Sequence, residues 1–239
     1  MFSVANFLII LHMRINERVV ALNDKPVNDK ARYVLYWMQM YKRVDNNHAL
    51  VWAIRKANEL KLPLVVYEGL KYYYPWASDR LHTFILEGVE EKKKQFEKLG
   101  IRYLFYLQED SKSPKQTVAR IAKDAAMIVT DDFPCFIIPG HNAKIAEKAK
   151  IAVHAVDSNG IIPMSKFDKE EYAAYTIRPK IKKLLEGTMN TLEHFSAQAE
   201  FLEGKAHTFL HASKVLKSVI AEANDNKSIP WESIIKLIE

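Results

Sequence analysis

The sequence predicts an α/β fold: a three-layer Rossmann-like sandwich with a five-stranded parallel sheet, followed by a helical C-terminal tail. Three observations lead there. From residue 31 onward, short runs rich in β-branched and aromatic residues alternate with longer stretches of helical period, the signature of βαβ units. After Val156 the alternation stops and turn residues give way to amphipathic helical pattern. Finally, 239 residues with 49% hydrophobic content suffice for a sizeable core, which excludes disordered and collagen-like chains.

Residues 1–30 are read as an N-terminal extension. Its apolar run Phe7-Leu8-Ile9-Ile10-Leu11 is too short to span a bilayer, and no Lys or Arg precedes Arg14, so neither an anchor nor a secretory leader is expected. Met1 to His12 is either an upstream extension ahead of a second start at Met13 or a short strand or helix packed on the body. Residues 31–186 form the α/β domain, with strands expected at Tyr33–Trp37, Pro63–Tyr67, Ile101–Leu107, Ala126–Thr130 and Ile151–Val156. Helices are expected between them at Asn47–Leu60, Ser78–Leu99, Pro114–Lys123 and Ala143–Lys150. In the second helix Leu81, Phe84, Ile85, Val89 and Phe96 share one face, which should cover the sheet. Right-handed crossovers direct ligands to the carboxyl ends of strands, so chemistry is sought in the loops after the first, fourth and fifth strands. A basic helix start at Arg178, Lys180, Lys182 and Lys183 precedes the tail, residues 187–239. There Met189, Leu192, Phe195, Leu216, Val219, Ile220, Trp231, Ile234 and Ile235 mark amphipathic helices.

Composition narrows the function classes. A lone cysteine, Cys135, cannot form an internal disulfide and excludes a cysteine-based zinc site, which fits a cytoplasmic protein. A net charge of +6 favours anionic partners without the density of a nucleic-acid arm. The sequence contains no G-x-x-x-x-G-K-[ST], G-x-G-x-x-G, H-E-x-x-H or G-x-S-x-G motif, and only seven glycines. His207 and His211 share a helical spacing but lack a third metal ligand at a diagnostic distance, so a surface role is their default.

Polar residues at strand ends carry the remaining signal. In the loop after the first strand, Arg43 and Asn47 precede a helix N-terminus, an arrangement that suits a phosphate or a polar heterocycle. On spacing alone, helix capping and ion pairing are the simpler explanation of the same loop. The fourth strand ends in Asp131 and Asp132 and the fifth runs into Asp157-Ser158-Asn159-Gly160. These side chains could accept hydrogen bonds from a ribose or ring nitrogen, or serve only turns and caps.

The same residues carry a family resemblance. Tyr33-Val34-Leu35-Tyr36-Trp37-Met38 followed by Arg43-Val44-Asp45-Asn46-Asn47-His48-Ala49-Leu50 resembles the opening of class II cyclobutane pyrimidine dimer photolyases, whose pattern is Y-W-M then R-V-E-D-N-W-A-L. Arg80 to Gly88, Val129-Thr130-Asp131 with Phe133, and Val156 to Pro163 agree in order. The run Glu171-Tyr172-Ala173-Ala174-Tyr175-Thr176-Ile177-Arg178-Pro179-Lys180 is the most specific of these segments. Three positions depart from the pattern: Asp45 for Glu, Asn46 for Asp and His48 for Trp. The match covers roughly residues 32–185, which in the family form the antenna domain of the photolyase/cryptochrome proteins.

What the resemblance implies is light harvesting rather than autonomous repair. The family's FAD site lies in a larger helical domain, so FAD is not expected in this chain alone. The antenna chromophore would be of deazaflavin, folate or flavin type. Arg43 and Asn47 would hold its polar edge, Asp131, Asp157 and Asn159 would accept its hydrogen bonds, and Trp37 and Met38 would pack on its ring. A separately encoded helical flavin domain, or a second copy forming a homodimer, is the expected partner; DNA would be reached only indirectly, and no membrane role is expected. The alternatives are a split deoxyribodipyrimidine photolyase, a ligand-free remnant, and a nucleotide-binding protein of the adenosine-nucleotide-hydrolase type, which the absence of a glycine-rich adenylate loop disfavours.

Overall fold

In the computed structural model, residues 15–71, 73–74, 77–108 and 117–188 are described. In chain order these form β1 (Val19–Ala21), β2 (Tyr33–Trp37), α1 (His48–Leu60), β3 (Leu64–Lys71), α2 (Asp79–Lys98), β4 (Arg102–Gln108), α3 (Thr117–Ile121), β5 (Ala125–Asp132), α4 (Ile138–Lys148), β6 (Ala152–Asp157) and α5 (Ala174–Thr188). The sheet runs β1-β6-β5-β2-β3-β4.

The five expected strands are all present and mutually parallel. The sheet nevertheless has six strands and is mixed, because β1 joins its edge antiparallel to β6, with Val19 opposite Val156 and Ala21 opposite His154. That edge strand comes from the stretch read as an extension. Three residues, largely exposed, carry too little pattern to be seen in sequence. The helices shift as well. α4 starts at Ile138, five residues ahead of its expected start, with Pro139 in its first turn where the missing N–H costs nothing. α3 is a single short turn continued by a 3-10 segment at Ala122–Asp124. α5 begins at Ala174 and carries Pro179 within it. The proposed tail helices beyond Thr188, with His207 and His211, lie outside the described residues.

Two apolar layers enclose the sheet. On one face α1 and α2 pack on Val34, Tyr36, Leu64, Val66 and Val129; on the other, α3 and α4 pack on Tyr33, Leu35, Val65, Ile128 and Val153. β2 is therefore buried on both sides, as its unbroken apolar run requires of a central parallel strand. α2 turns a slightly different face inward than expected: Leu86, Val89, Lys92 and Phe96 are buried while Leu81 and Phe84 are exposed. Lys92 joins that stripe because Glu68 of β3 lies beneath it, 2.5 Å away, and the Tyr103 hydroxyl donates to the same carboxylate oxygen at 2.6 Å.

The strand order places the functional edge. The chain leaves β2 for β3 and β4 on one side, then crosses back to lay β5 and β6 on the other. The order reverses between β2 and β5, and the crevice outside their carboxyl ends is where open α/β sheets bind ligands.

Candidate functional site at the β2–β5 crevice

The floor of the crevice is built around Asp131. Its carboxylate is fully buried, yet it has four donors: the Tyr36 hydroxyl at 2.7 Å and the backbone N–H groups of Gln39, Met40 and Tyr41 at 2.9, 2.6 and 3.0 Å. Burial raises its pKa above the usual carboxylate range, and these donors pull it back toward the charged form. Asp131 thus ties the loop after β2 to the end of β5. Asn47 works beside it. Its Oδ1 accepts from the Leu50 N–H as the α1 N-cap, and its Nδ2 donates to the Tyr36 hydroxyl and to the carbonyls of Tyr41 and Arg43, each at 3.0 Å.

Asp157 organises the third loop in the same manner. It accepts from the N–H groups of Asn159 and Met164, both at 2.8 Å, and faces Arg18 at 3.7 Å. Met38 is 1% exposed and sits in the core on the α1 side, not at the rim. Among the residues expected to touch a ligand, the structure therefore places Asp131, Asn47, Asp157 and Met38 inside the framework. Trp37, Arg43 and Asn159 are at the surface of this edge. Arg43 is exposed and donates to the carbonyls of Asn46 (3.1 Å) and Ser158 (3.1 Å), joining the loops after β2 and β6.

A second cluster, of which the sequence reading singled out only Trp37 as a ligand contact, lies on the α4 side of the crevice. The Trp37 ring stacks on His141, with centroids 5.7 Å apart and planes inclined by 22°. Gln39 connects them: its Nε2 donates to Thr130 Oγ1 (2.8 Å) and Asn142 Oδ1 (2.9 Å), and its Oε1 meets His141 Nδ1 at 2.9 Å. Next to this group, Tyr41 meets Phe133 edge-on and Phe133 stacks on Phe136, which is 86% exposed at a positive φ of 60°. Gln39 and His141 are 102 residues apart, so no spacing rule joins them; the one local signal was a histidine in the first turn of α4, the helix that follows β5.

At α1, burial chiefly, then Arg18 and Arg43, push the His48 imidazole down to about 4. His82, His141 and His154 are also lowered, burial first in each case. The folded state therefore binds fewer protons than the unfolded chain below its ordinary value of about 6.5. Stability is complete above that value and falls as pH drops from about 6.5 toward 4. Urea midpoints at pH 7 and pH 5 are expected to differ, and His48→Gln should remove about 1–2 kcal/mol of that difference; an unchanged difference would show that His48 does not contribute.

Among the described residues no group of three or more His, Cys, Asp or Glu side chains could hold a metal ion, and no helix is long and apolar enough to cross a membrane.

With this geometry in view, a family model described as DNA photolyase matches residues 34–213. The chain is 36% identical over 188 residues to the deoxyribodipyrimidine photo-lyase of Methanothermobacter thermautotrophicus, covering 78% of this chain and 41% of that protein. To the deoxyribodipyrimidine photo-lyase of Arabidopsis thaliana it is 32% identical over 166 residues, covering 67% and 33%. The chain thus spans well under half the length of these curated relatives. Among solved structures, the archaeal photolyase from Sulfolobus tokodaii, described with two FAD molecules and an implied novel light-harvesting cofactor, superposes with a TM-score of 0.50 at 12% identity. That superposition covers 86% of this chain and 42% of the other, and at this identity it speaks for fold.

Proposed function

Since the chain belongs to the DNA photolyase family, we propose that its α/β unit binds a planar light-harvesting chromophore of flavin, deazaflavin or folate type in the β2–β5 crevice. Absorbed energy would then pass to a helical FAD-bearing unit that repairs pyrimidine dimers in DNA, whether that unit is a separate chain or not. The observation carrying this reading is the half-buried Trp37–His141 stack at the point where strand order reverses, held by a fully bonded Gln39–Thr130–Asn142 network. A flat aromatic shelf with ordered polar groups at its edge suits a planar heterocycle.

The fit is specific to one part of the site. Asp131, Asn47 and Asp157 spend their hydrogen bonds on the chain itself, so they shape the crevice and do not reach the ligand. Trp37 and His141 would meet the ring, while Arg43 and Asn159 would stand at the outer rim. The bound chromophore supplies near-ultraviolet or blue absorption; the protein supplies binding, orientation and exclusion of water.

Removing the shelf is the test. The chain is titrated with FMN, FAD, 8-hydroxy-5-deazaflavin and 5,10-methenyltetrahydrofolate, following ligand fluorescence. One of them should bind, and Trp37→Ala should weaken it by about 1–3 kcal/mol, the range for stacking a base on an aromatic side chain. Equal affinity in the variant would place the ligand elsewhere.

A further inference from the structure

The hydrogen bonds around His141 have only one consistent set of directions. Asn142 Nδ2 donates to the carbonyl of Asp131 at 2.9 Å, so Asn142 Oδ1 is the acceptor turned to Gln39. The Thr130 hydroxyl gives its proton to the carbonyl of Trp37 at 3.1 Å and therefore accepts from Gln39. Both protons of Gln39 Nε2 are thereby used, and Gln39 Oε1 can only accept. His141 Nδ1, 2.9 Å from that oxygen, must carry a proton. Burial and the neighbouring charges of Lys71, at the end of β3, and Lys144, on α4 itself, favour the neutral imidazole. A neutral imidazole has one N–H, so Nε2 holds a free lone pair. It makes no hydrogen bond among the described residues.

We infer that His141 determines ligand specificity: its Nε2 accepts a hydrogen bond from an edge N–H of the planar heterocycle, so the site selects rings with that donor over N-substituted analogues. Two backbone carbonyls, 37 and 131, fix the tautomer from both sides of the crevice. Recognition would thus be built into the switch point of the sheet and not into a mobile loop. A ring lacking the donor would leave a desolvated acceptor unpaired, which is the usual source of strong discrimination in polar pockets. The inference rests on the chromophore reading above.

Lumiflavin and 3-methyl-lumiflavin separate the two claims, since they differ only in the ring N–H. The purified full chain is titrated with each by fluorescence. Wild type should bind lumiflavin at least about tenfold more tightly, the ratio worth roughly 1.4 kcal/mol. His141→Phe, which keeps a stacking ring without the acceptor, should bind both at the affinity of the methylated ring. Gln39→Leu, which frees the tautomer, should narrow the ratio between the two ligands. If wild type binds both equally, and His141→Phe does the same, the specificity role is overturned while the chromophore site stands. If wild type binds neither, the site reading itself fails. Long-range proton–nitrogen NMR of the imidazoles gives a readout free of substitution. A protonated Nδ1 with a bare Nε2 at His141 supports the assignment; a protonated Nε2 overturns it.

Discussion

Lys92→Met is expected to destabilise the fold by about 3–5 kcal/mol, the cost of leaving one partner of a buried ion pair alone. Glu68 is fully buried between β3 and α2, and Lys92 Nζ and the Tyr103 hydroxyl both address its Oε2. Lys42, from the loop after β2, reaches Oε1 at 3.2 Å but remains partly in solvent. Burial lowers the Lys92 ammonium below its ordinary range, against the pull of Glu68, so the lysine is held there by the carboxylate and not by its own preference. Methionine fills the same channel and leaves the buried charge with only the partly solvated Lys42 as its cationic partner. Urea denaturation followed by far-ultraviolet circular dichroism measures the loss. The double variant Glu68→Gln with Lys92→Met removes both charges while keeping an acceptor for Tyr103, and should recover most of the stability. If Lys92→Met alone leaves the midpoint unchanged, the pair does not anchor α2.

Asp131→Ala should cost at least about 3 kcal/mol, because three backbone N–H groups and a buried tyrosine hydroxyl lose their acceptor at once. Asp131→Asn should fall between, since one amide oxygen can serve some of those donors and its NH2 opposes the others. The effect reaches the crevice. Gln39, Met40 and Tyr41 are the residues whose amides Asp131 gathers, so loosening them disorders the network that fixes His141. Hydrogen exchange at those three amides, compared with amides in β3, checks this. Acceleration confined to residues 39–41 is expected; protection equal to wild type would show that the loop is held by packing alone.

These two carboxylates also show how far the sequence could be read. The parallel strands were legible because β2, β5 and β6 are apolar runs buried on both faces, and the loops at their carboxyl ends could be singled out, but the strand order that makes β2–β5 the switch point came from the structure. β1 was not legible, since Val19–Ala21 is an exposed three-residue edge whose pairing is decided by β6, over a hundred residues away. The loops around the site were found from strand ends, but the direction of each polar side chain was not. In sequence Asp131 and Asp157 look like ligand acceptors and Asn47 like a holder of the ligand's polar edge, and in three dimensions each accepts from backbone donors of its own chain. Conversely, Gln39 and His141 carry no motif, and only the closure of β2 against β5 and α4 brings them together. The charged pair at Glu68 was hidden for a similar reason: in an apolar strand pattern a single glutamate reads as a surface residue until α2 places Lys92 above it.

Chemical-shift mapping tests the location of the chromophore site most directly. Backbone amide spectra of the isotope-labelled chain are recorded during a titration with lumiflavin. The shifts should concentrate at residues 37–41, 130–133 and 141–142, on both sides of the β2–β5 crevice, and should disappear in Trp37→Ala. Shifts concentrated on the opposite, amino-terminal edge of the sheet, or no saturable shifts at all, would contradict a ligand site at the strand-order reversal.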